Sequence, residues 1–366
     1  MLSKFETSLA EKQKQGLLRT LKLPTGIDFA NNDYLGLSNH FEIKETAAAA
    51  YIKLGAGSRG SRLLGGNSIF FEDAEKWFAN WKGKEAALIF NSGYSANLGV
   101  ISAFCNNSKT HLFCDRLCHA SILDGYAMGC AKLHRFKHNC PKDLEKKLQA
   151  TDGLKVIAVE SVYSMDGDIA PLKEYTDLAE KYGALLYVDE AHSDGILGPG
   201  GKGLAENAHL SLTTFSKAYG TMGACIFGSR LLIDYIINNA RSFIYSTAIA
   251  PGAVAAMRKA VEVAARDNFR REKLLEMSAK FRAKITQAGI NCLQSETQIV
   301  PVVLGTVEKA QKCQAFLQEK GFYTACIRPP TVPNGTARLR INITAAHKEQ
   351  DVDNLAETLI LYIQSL

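Results

Sequence analysis

Between residues 86 and 228 the chain alternates short apolar runs with segments of helical period, and no other feature limits its fold as strongly. The runs are ALIF (87–90), HLFC (111–114), KLHRF (132–136), VIAVE (156–160), LLYVDE (185–190), LTTFS (212–216) and ACIFG (224–228). Between them lie stretches such as PKDLEKKLQA (141–150) and LKEYTDLAEKYG (172–183), whose apolar positions recur at intervals of three and four. Apolar runs, rather than alternating ones, mark strands covered on both faces. The intervening helices supply that cover. The expected fold is therefore α/β, with a mostly parallel, doubly wound sheet.

After Pro251 the pattern changes. A long helical stretch (252–289), broken near Arg266–Asn268, precedes a βαββα succession that ends in the helix KEQDVDNLAETLILYIQ, which predicts a smaller C-terminal α+β domain. The expected division is an N-terminal arm (1–38), a large domain (39–266) and a small C-terminal domain (267–366). The opening MLSKFETSLAEKQKQ lacks the unbroken apolar core of a signal peptide and predicts an exposed amphipathic helix. Apolar runs such as ALLYV (184–188) fall far short of the roughly 18 residues that cross a bilayer, so the expectation is a cytoplasmic protein with no membrane partner. Lys plus Arg number 43 against 37 Asp plus Glu, a net +6 spread along the chain. Nucleic-acid binding calls for a basic stripe or a reading motif, whereas a mild, dispersed excess suits small anionic ligands. Nine cysteines without a CxxC offer neither a zinc ribbon nor a thioredoxin motif.

Open α/β sheets bind ligands beyond the carboxyl ends of their strands. Four of the runs end in conspicuously polar residues: Asn91-Ser92-Gly93-Tyr94, Glu160-Ser161 with Ser164 beyond, Asp189-Glu190-Ala191-His192 and Thr214-Phe215-Ser216-Lys217. A single Asp or Lys at a strand end is usually a cap or a solvated surface group. Four such ends together point to a site. A lysine in a partly buried site loses its proton readily and forms Schiff bases. An aspartate behind LLYV brings a buried negative charge that wants a cation. Pyridoxal 5'-phosphate joins the two, since its aldehyde takes a lysine and its pyridine nitrogen an acidic partner. Ser92, Gly93 and Tyr94, opening a helix after a strand, suit its phosphate.

The residues that carry this chemistry also resemble a known family. NNDYLGLS (31–38), GSRLLGG (60–66), NSGYSAN (91–97), DRLCHASILDG (115–125), SMDGDIAPL (164–172), VDEAHSDGILG (188–198) and TTFSKAYGTMG (213–223) are similar to the α-oxoamine synthases, fold type I pyridoxal-phosphate enzymes, across nearly the whole chain. The resemblance implies that Lys217 carries the cofactor, Asp189 partners the pyridine nitrogen, His192 bonds the ring 3'-oxygen and His119 stacks on the ring. It implies cofactor contacts for Ser164 and Thr214, and carboxylate binding for Asn32 and Arg328. Family members build the site at a homodimer interface, so Ser246 and Thr247 are expected to reach the other subunit's phosphate. The tail IRPPTVPNGTARLRINITAAH (327–347) is similar to the member that condenses L-alanine with a pimeloyl thioester, carried on coenzyme A or a carrier protein. A member taking glycine and acetyl-CoA, or a longer acyl chain, shares the same lysine, aspartate and histidines. A non-catalytic scaffold of the same fold would have no need of all three.

Other matches fail. Gly55-Ala56-Gly57-Ser58-Arg59-Gly60 fits G-x-G-x-x-G but follows a helical run rather than a strand, which excludes the dinucleotide reading. His134 and His138 have zinc-like spacing without HExxH, so no metal is expected. Arg59 and Arg62 are candidates for coenzyme A phosphates or for a distal carboxylate of the acyl chain. SDG after His192 replaces the usual glycine-threonine-glycine type of sequence.

Overall fold

The computed structural model of the chain describes residues 2–365; the two terminal residues, the outer ends of the expected arm and C-terminal domain, lie outside them. The chain divides into two compact units. The smaller takes everything up to Asn32, Ser164–Asp168 and the chain from Glu272 onward, and the larger takes Asp33–Tyr163 and Ile169–Arg271.

The first helix, α1 (Leu2–Lys14), is exposed along its described length, as its amphipathic sequence predicts. A short strand, β1 (Ile27–Asp28), follows it in the smaller unit. The larger unit opens with α2 (Phe41–Leu54) and α3 (Ile69–Lys82), the latter ended by Gly83 in the left-handed region at φ 73°. Its seven strands are β2 (Ala86–Phe90), β3 (Thr110–Asp115), β4 (Lys132–Phe136), β5 (Leu154–Glu160), β6 (Ala184–Asp189), β7 (Leu210–Thr214) and β8 (Ala224–Gly228), in the spatial order β2-β8-β7-β6-β5-β3-β4. All pairs are parallel except those of β8, which runs against both β2 and β7. Val156, Ile157 and Val159 of β5 are wholly buried. At about 1.5–3 kcal/mol for each fully buried aliphatic side chain, this central sheet is a large part of what holds the unit together.

The topology gathers the polar strand ends at one edge. Glu160 pairs with Asp189 at the last rung of β5 and β6. Because β8 is antiparallel to both its neighbours, β2 and β7 point the same way, and Phe90 and Thr214 both face Ala224. The segments after β2, β5, β6 and β7 therefore leave the sheet on the same side, together with the loop after β3.

In the smaller unit, β9 (Ile299–Gly305), β11 (Ala325–Ile327) and β12 (Ala337–Asn342) form an antiparallel sheet in the order β11-β12-β9, while β10 (Phe322–Tyr323) pairs in parallel with β1. The sequence reads Phe322–Cys326 as one strand. The structure splits it at Thr324, where the chain changes partner from β1 to β12. The helical stretch after Pro251 breaks where expected, into Pro251–Arg266 and Phe269–Gln287. Among the described residues, no helix is long and apolar enough to cross a membrane.

Candidate active site

Beyond β2 the chain turns into α4 (Gly93–Phe104) through an N-cap that the sequence supplies locally. Ser92 Oγ accepts from Ser95 N–H, and Ser95 Oγ accepts in turn from Ser92 N–H, both at 3.1 Å. The next amides, starting with Gly93 and Tyr94, open the helix where no intrahelical acceptor exists and where the helix dipole favours an anion. Thr214 lies against this turn, since a Cβ built on Gly93 would sit 3.5 Å from Thr214 Oγ1. Thr214 Oγ1 also meets Ser216 Oγ at 3.0 Å. Tyr94 is exposed and bonds Asp124 through its hydroxyl. Asn91 Nδ2 donates to Ser246 Oγ (3.1 Å) and to the Thr247 carbonyl (2.9 Å), which places both residues beside their own chain's β2.

Lys217 follows β7, and its Nζ lies 2.8 Å from His192 Nε2. His192 is buried and its Nδ1 is 2.8 Å from the Tyr34 hydroxyl. Asp189, 4% exposed at the end of β6, accepts from Ala191 N–H (2.9 Å) and from Asn97 Nδ2 (2.7 Å). Both donors are neutral, so the site is built to receive a cation at this carboxylate. His119 caps α5 (Ala120–Ala127), its Nδ1 accepting from Ser121 N–H at 3.3 Å and meeting Ser121 Oγ at 2.7 Å. Loss of hydration holds His119 below its ordinary pKa, with Lys217 adding to the effect and Asp189 opposing it. Beside Asp189, burial pushes Glu160 well above the usual carboxylate range, Asp189 adds to the rise and Lys217 opposes it. The backbone N–H of His119 bonds Glu160, whose Oε1 is buried with no hydrogen-bond partner.

Behind the 189–194 turn stands a second charged group. Lys82, the last residue of α3, meets Glu190 Oε2 at 2.8 Å and Asp194 Oδ1 at 2.5 Å, all three side chains being almost wholly buried. Asp194 also bonds the Thr213 hydroxyl, so the unusual aspartate of the SDG sequence is matched by a lysine and by the neighbour of Thr214.

Three further candidates, Asn32, Ser164 and Arg328, lie in the smaller unit. Asn32 Oδ1 accepts from Arg340 Nη1 (3.0 Å) and Asn342 Nδ2 (3.2 Å), and Arg340 Nε donates to the Ser164 carbonyl (2.6 Å). Arg340 thus ties Asn32 to Ser164. Arg328 donates to the carbonyls of Gly16 (2.5 Å) and Leu18 (2.9 Å), and it lines a cavity with Arg19, Lys22 and Tyr323. Arg62 does not suit the role suggested for it. Its two terminal nitrogens grip Glu75 at 2.7 and 2.8 Å and its Nε bonds Asn67, so the fork is already filled by an internal carboxylate. Arg59 adopts φ 65° in the glycine-rich segment.

Several contributors escape a strand-end search because they do not end strands: Tyr34, Asn97, Ser121, Lys82 and Arg340. Tyr34, Asn97 and Ser121 do fall inside NNDYLGLS, NSGYSAN and DRLCHASILDG, and motif membership was the available signal. In the larger unit, an amine, a buried carboxylate held by neutral donors and a helix N-terminus with a threonine at its side match the three ends of pyridoxal phosphate. The residues present fit that group.

The family model for class I and II aminotransferases matches residues 24–359. A Bacillus mycoides protein with the provisional name 8-amino-7-oxononanoate synthase is 44% identical over 336 residues, spanning 89% of this chain and 85% of its own. Among solved structures, a variant serine palmitoyltransferase from S. paucimobilis with bound PLP–myriocin superposes with a TM-score of 0.92 at 30% identity, covering 100% of this chain and 98% of that one. An 8-amino-7-oxononanoate synthase from Francisella tularensis superposes with a TM-score of 0.81 at 26% identity, covering 93% and 98%.

Proposed function

The chain belongs to the class I and II aminotransferase family, in its α-oxoamine synthase branch, and on that premise we propose that it condenses L-alanine with a pimeloyl thioester, releasing carbon dioxide, to form 8-amino-7-oxononanoate. It is a pyridoxal-phosphate-dependent acyltransferase. The observation that carries the assignment of roles is the grouping of Lys217, His192, Asp189 and His119 at one edge of the larger unit's sheet, with Lys217 Nζ 2.8 Å from His192. The relative's name supports the choice of substrates.

When bound, pyridoxal phosphate supplies an electron-accepting ring that stabilises negative charge on the amino acid's α-carbon. The N-terminus of α4 and Thr214 hold the phosphate, as Ser92, Gly93 and Tyr94 open the helix there. Asp189 holds the proton on the ring nitrogen, and Asn97 keeps that carboxylate in place. His119 covers one ring face, while His192 and Ser164 orient the rest of the ring. Lys217 Nζ takes the α-proton of L-alanine and later returns a proton to the same carbon. The α-carbon bonds the thioester carbonyl carbon as the thiolate leaves, and the original carboxyl group departs as carbon dioxide.

Arg328 and Asn32 are the proposed carboxylate holders. A carboxylate presents two charged acceptors to the planar fork of Arg328 and outcompetes the neutral carbonyls of Gly16 and Leu18 for it. The acting unit is a homodimer, with Ser246 and Thr247 reaching the other subunit's phosphate. The exposed apolar side chains Phe41, Ile52, Leu64 and Ile69, which lie on and between α2 and α3, support an interface there.

The test is incubation of the purified protein with L-alanine or glycine and a panel of acyl-CoAs, the products being identified by mass. The expected product is 8-amino-7-oxononanoate from L-alanine and pimeloyl-CoA or its carrier-protein equivalent. Turnover of glycine with acetyl-CoA alone would assign the chain to another member of the branch.

A further inference from the structure

Four buried side chains of the larger unit form a hydrogen-bonded network whose donors and acceptors are all determined. Tyr187 Oη lies 2.5 Å from Asn97 Oδ1. Asn97 Nδ2 lies 2.7 Å from Asp189 Oδ2 and 2.9 Å from Ser121 Oγ. Ser121 Oγ lies 2.7 Å from His119 Nδ1. Tyr187, Asn97, Ser121 and Asp189 are each at most 4% exposed, so water does not compete for these contacts.

The direction of every bond follows from the inventory of groups. A carboxylate only accepts, so Asn97 must turn its NH2 toward Asp189. That same nitrogen then donates its second hydrogen to Ser121 Oγ, and Asn97 Oδ1 is left to accept from Tyr187. Ser121, having accepted from Asn97, has one hydroxyl hydrogen to give, and His119 Nδ1 lies in line for it. The Ser121 backbone N–H points at the same nitrogen from 3.3 Å. His119 Nδ1 is therefore the acceptor, and its proton sits on Nε2.

We propose that Asn97 is a positioning residue that fixes two groups at once: the placement of the Asp189 carboxylate and, through Ser121, the Nε2–H tautomer of His119. The inference deepens the proposed function, on which its relevance to the cofactor rests, because Asp189 and His119 are the groups assigned to the ring's edge and face. One amide thus sets both, and its orientation is locked by Tyr187 from behind.

The isosteric variant Asn97→Asp reverses the network. A carboxyl group at 97 accepts from Ser121 instead of donating to it, so Ser121 offers His119 a lone pair and favours Nδ1–H. The measurement is made on ligand-free protein with selectively 15N-labelled histidine, resolving His119 among the eight histidines by the loss of its signals in His119→Gln. In the wild type the Nε2–H form should dominate. In Asn97→Asp the ratio of Nε2–H to Nδ1–H should fall at least fivefold. Ser121→Ala, a minimal truncation that leaves the Asn97–Asp189 bond in place, should also lower the ratio. It should hold the affinity for added pyridoxal phosphate within about threefold, whereas Asn97→Asp should lose tenfold or more. An unchanged ratio in Asn97→Asp, or in Ser121→Ala should Asn97→Asp not fold, would mean that the Ser121 backbone N–H alone sets the tautomer and would overturn the inference. Failure of wild-type protein to bind pyridoxal phosphate would instead overturn the proposed function, leaving the tautomer result standing.

Discussion

Asp189 has both carboxylate oxygens occupied by neutral donors, Ala191 N–H and the Asn97 amide, an arrangement that fixes its position without cancelling its charge. A protonated ring nitrogen about 3 Å away would gain roughly 5 kcal/mol at an effective dielectric of about 20, before desolvation. Half of that is enough to decide whether the nitrogen keeps its proton at neutral pH, one pKa unit being about 1.4 kcal/mol. Asp189→Asn keeps the size and removes the charge. Exchange of the L-alanine α-proton with deuterated water, followed by NMR without acyl-CoA, should slow about a hundredfold or more in that variant. Exchange at the wild-type rate would remove Asp189 from its assigned role. At Arg328 a charge-assisted contact of about 1.5–3 kcal/mol is at stake. Arg328→Ala should need roughly ten- to a hundredfold more L-alanine to shift the cofactor spectrum, and Arg328→Lys should recover only part, because an ammonium cannot make two parallel bonds. An unchanged midpoint would show that another group holds the carboxylate.

Among the elements, the inner strands of the larger unit were legible from their apolar runs, because a strand covered on both faces has no polar position to spare, whereas the edge strand β4 carries the exposed Lys132 and Arg135. The smaller unit was less so. Phe322–Tyr323 and Ala325–Ile327 read as one run because nothing local marks Thr324 as the point where partners change; β1 lies some 290 residues earlier in the chain. Likewise, Ser164–Asp168 packs with the smaller unit through contacts such as Thr297 Oγ1 to the Gly167 carbonyl, which no short-range pattern records. The turn after β6 shows the same limit. SDG looked like a departure in a loop, whereas Asp194 belongs to the buried group of Lys82 and Glu190. Burial, with Glu190 adding and Lys82 opposing, pushes the Asp194 carboxyl up to about 8. In the unfolded chain Asp194 releases its proton near pH 4, but in the folded protein it keeps it to about pH 8. Its contribution to stability is therefore present below pH 4 and is lost progressively as pH rises from 4 to 8. Asp194→Asn keeps a carbonyl for Lys82 and an NH2 for Thr213, so it should remove this loss. Denaturant titrations should show a gain over wild type at pH 8 relative to pH 5, on the order of 1 kcal/mol or more. A wild-type slope in the variant would place the titrating proton elsewhere.

For the whole molecule, the proposed function requires two copies of the chain and one covalent attachment in each. Ile52 and Leu64 are 88% and 84% exposed on a single chain, an unfavourable state for side chains of this size unless another surface covers them. Sedimentation should give twice the 40.0 kDa chain mass. Leu64→Glu should shift the protein toward the monomer and reduce turnover together; a fully dimeric, fully active variant would place the interface elsewhere. What the sequence conveyed best was the chemistry of the strand ends. Lys217, Asp189 and His192 could be named because each follows an apolar run and four such polar ends occur together, where one alone would read as a cap or a surface group. The supporting residues could not, since their roles depend on partners as far as 308 positions away, as Arg340 and Asn32 illustrate. The most direct test treats the purified protein with borohydride, digests it and sequences the modified peptide by mass spectrometry. One reduced pyridoxal phosphate per chain is expected on Lys217, and none in Lys217→Ala. Recovery of the adduct on any other lysine would contradict the assignment.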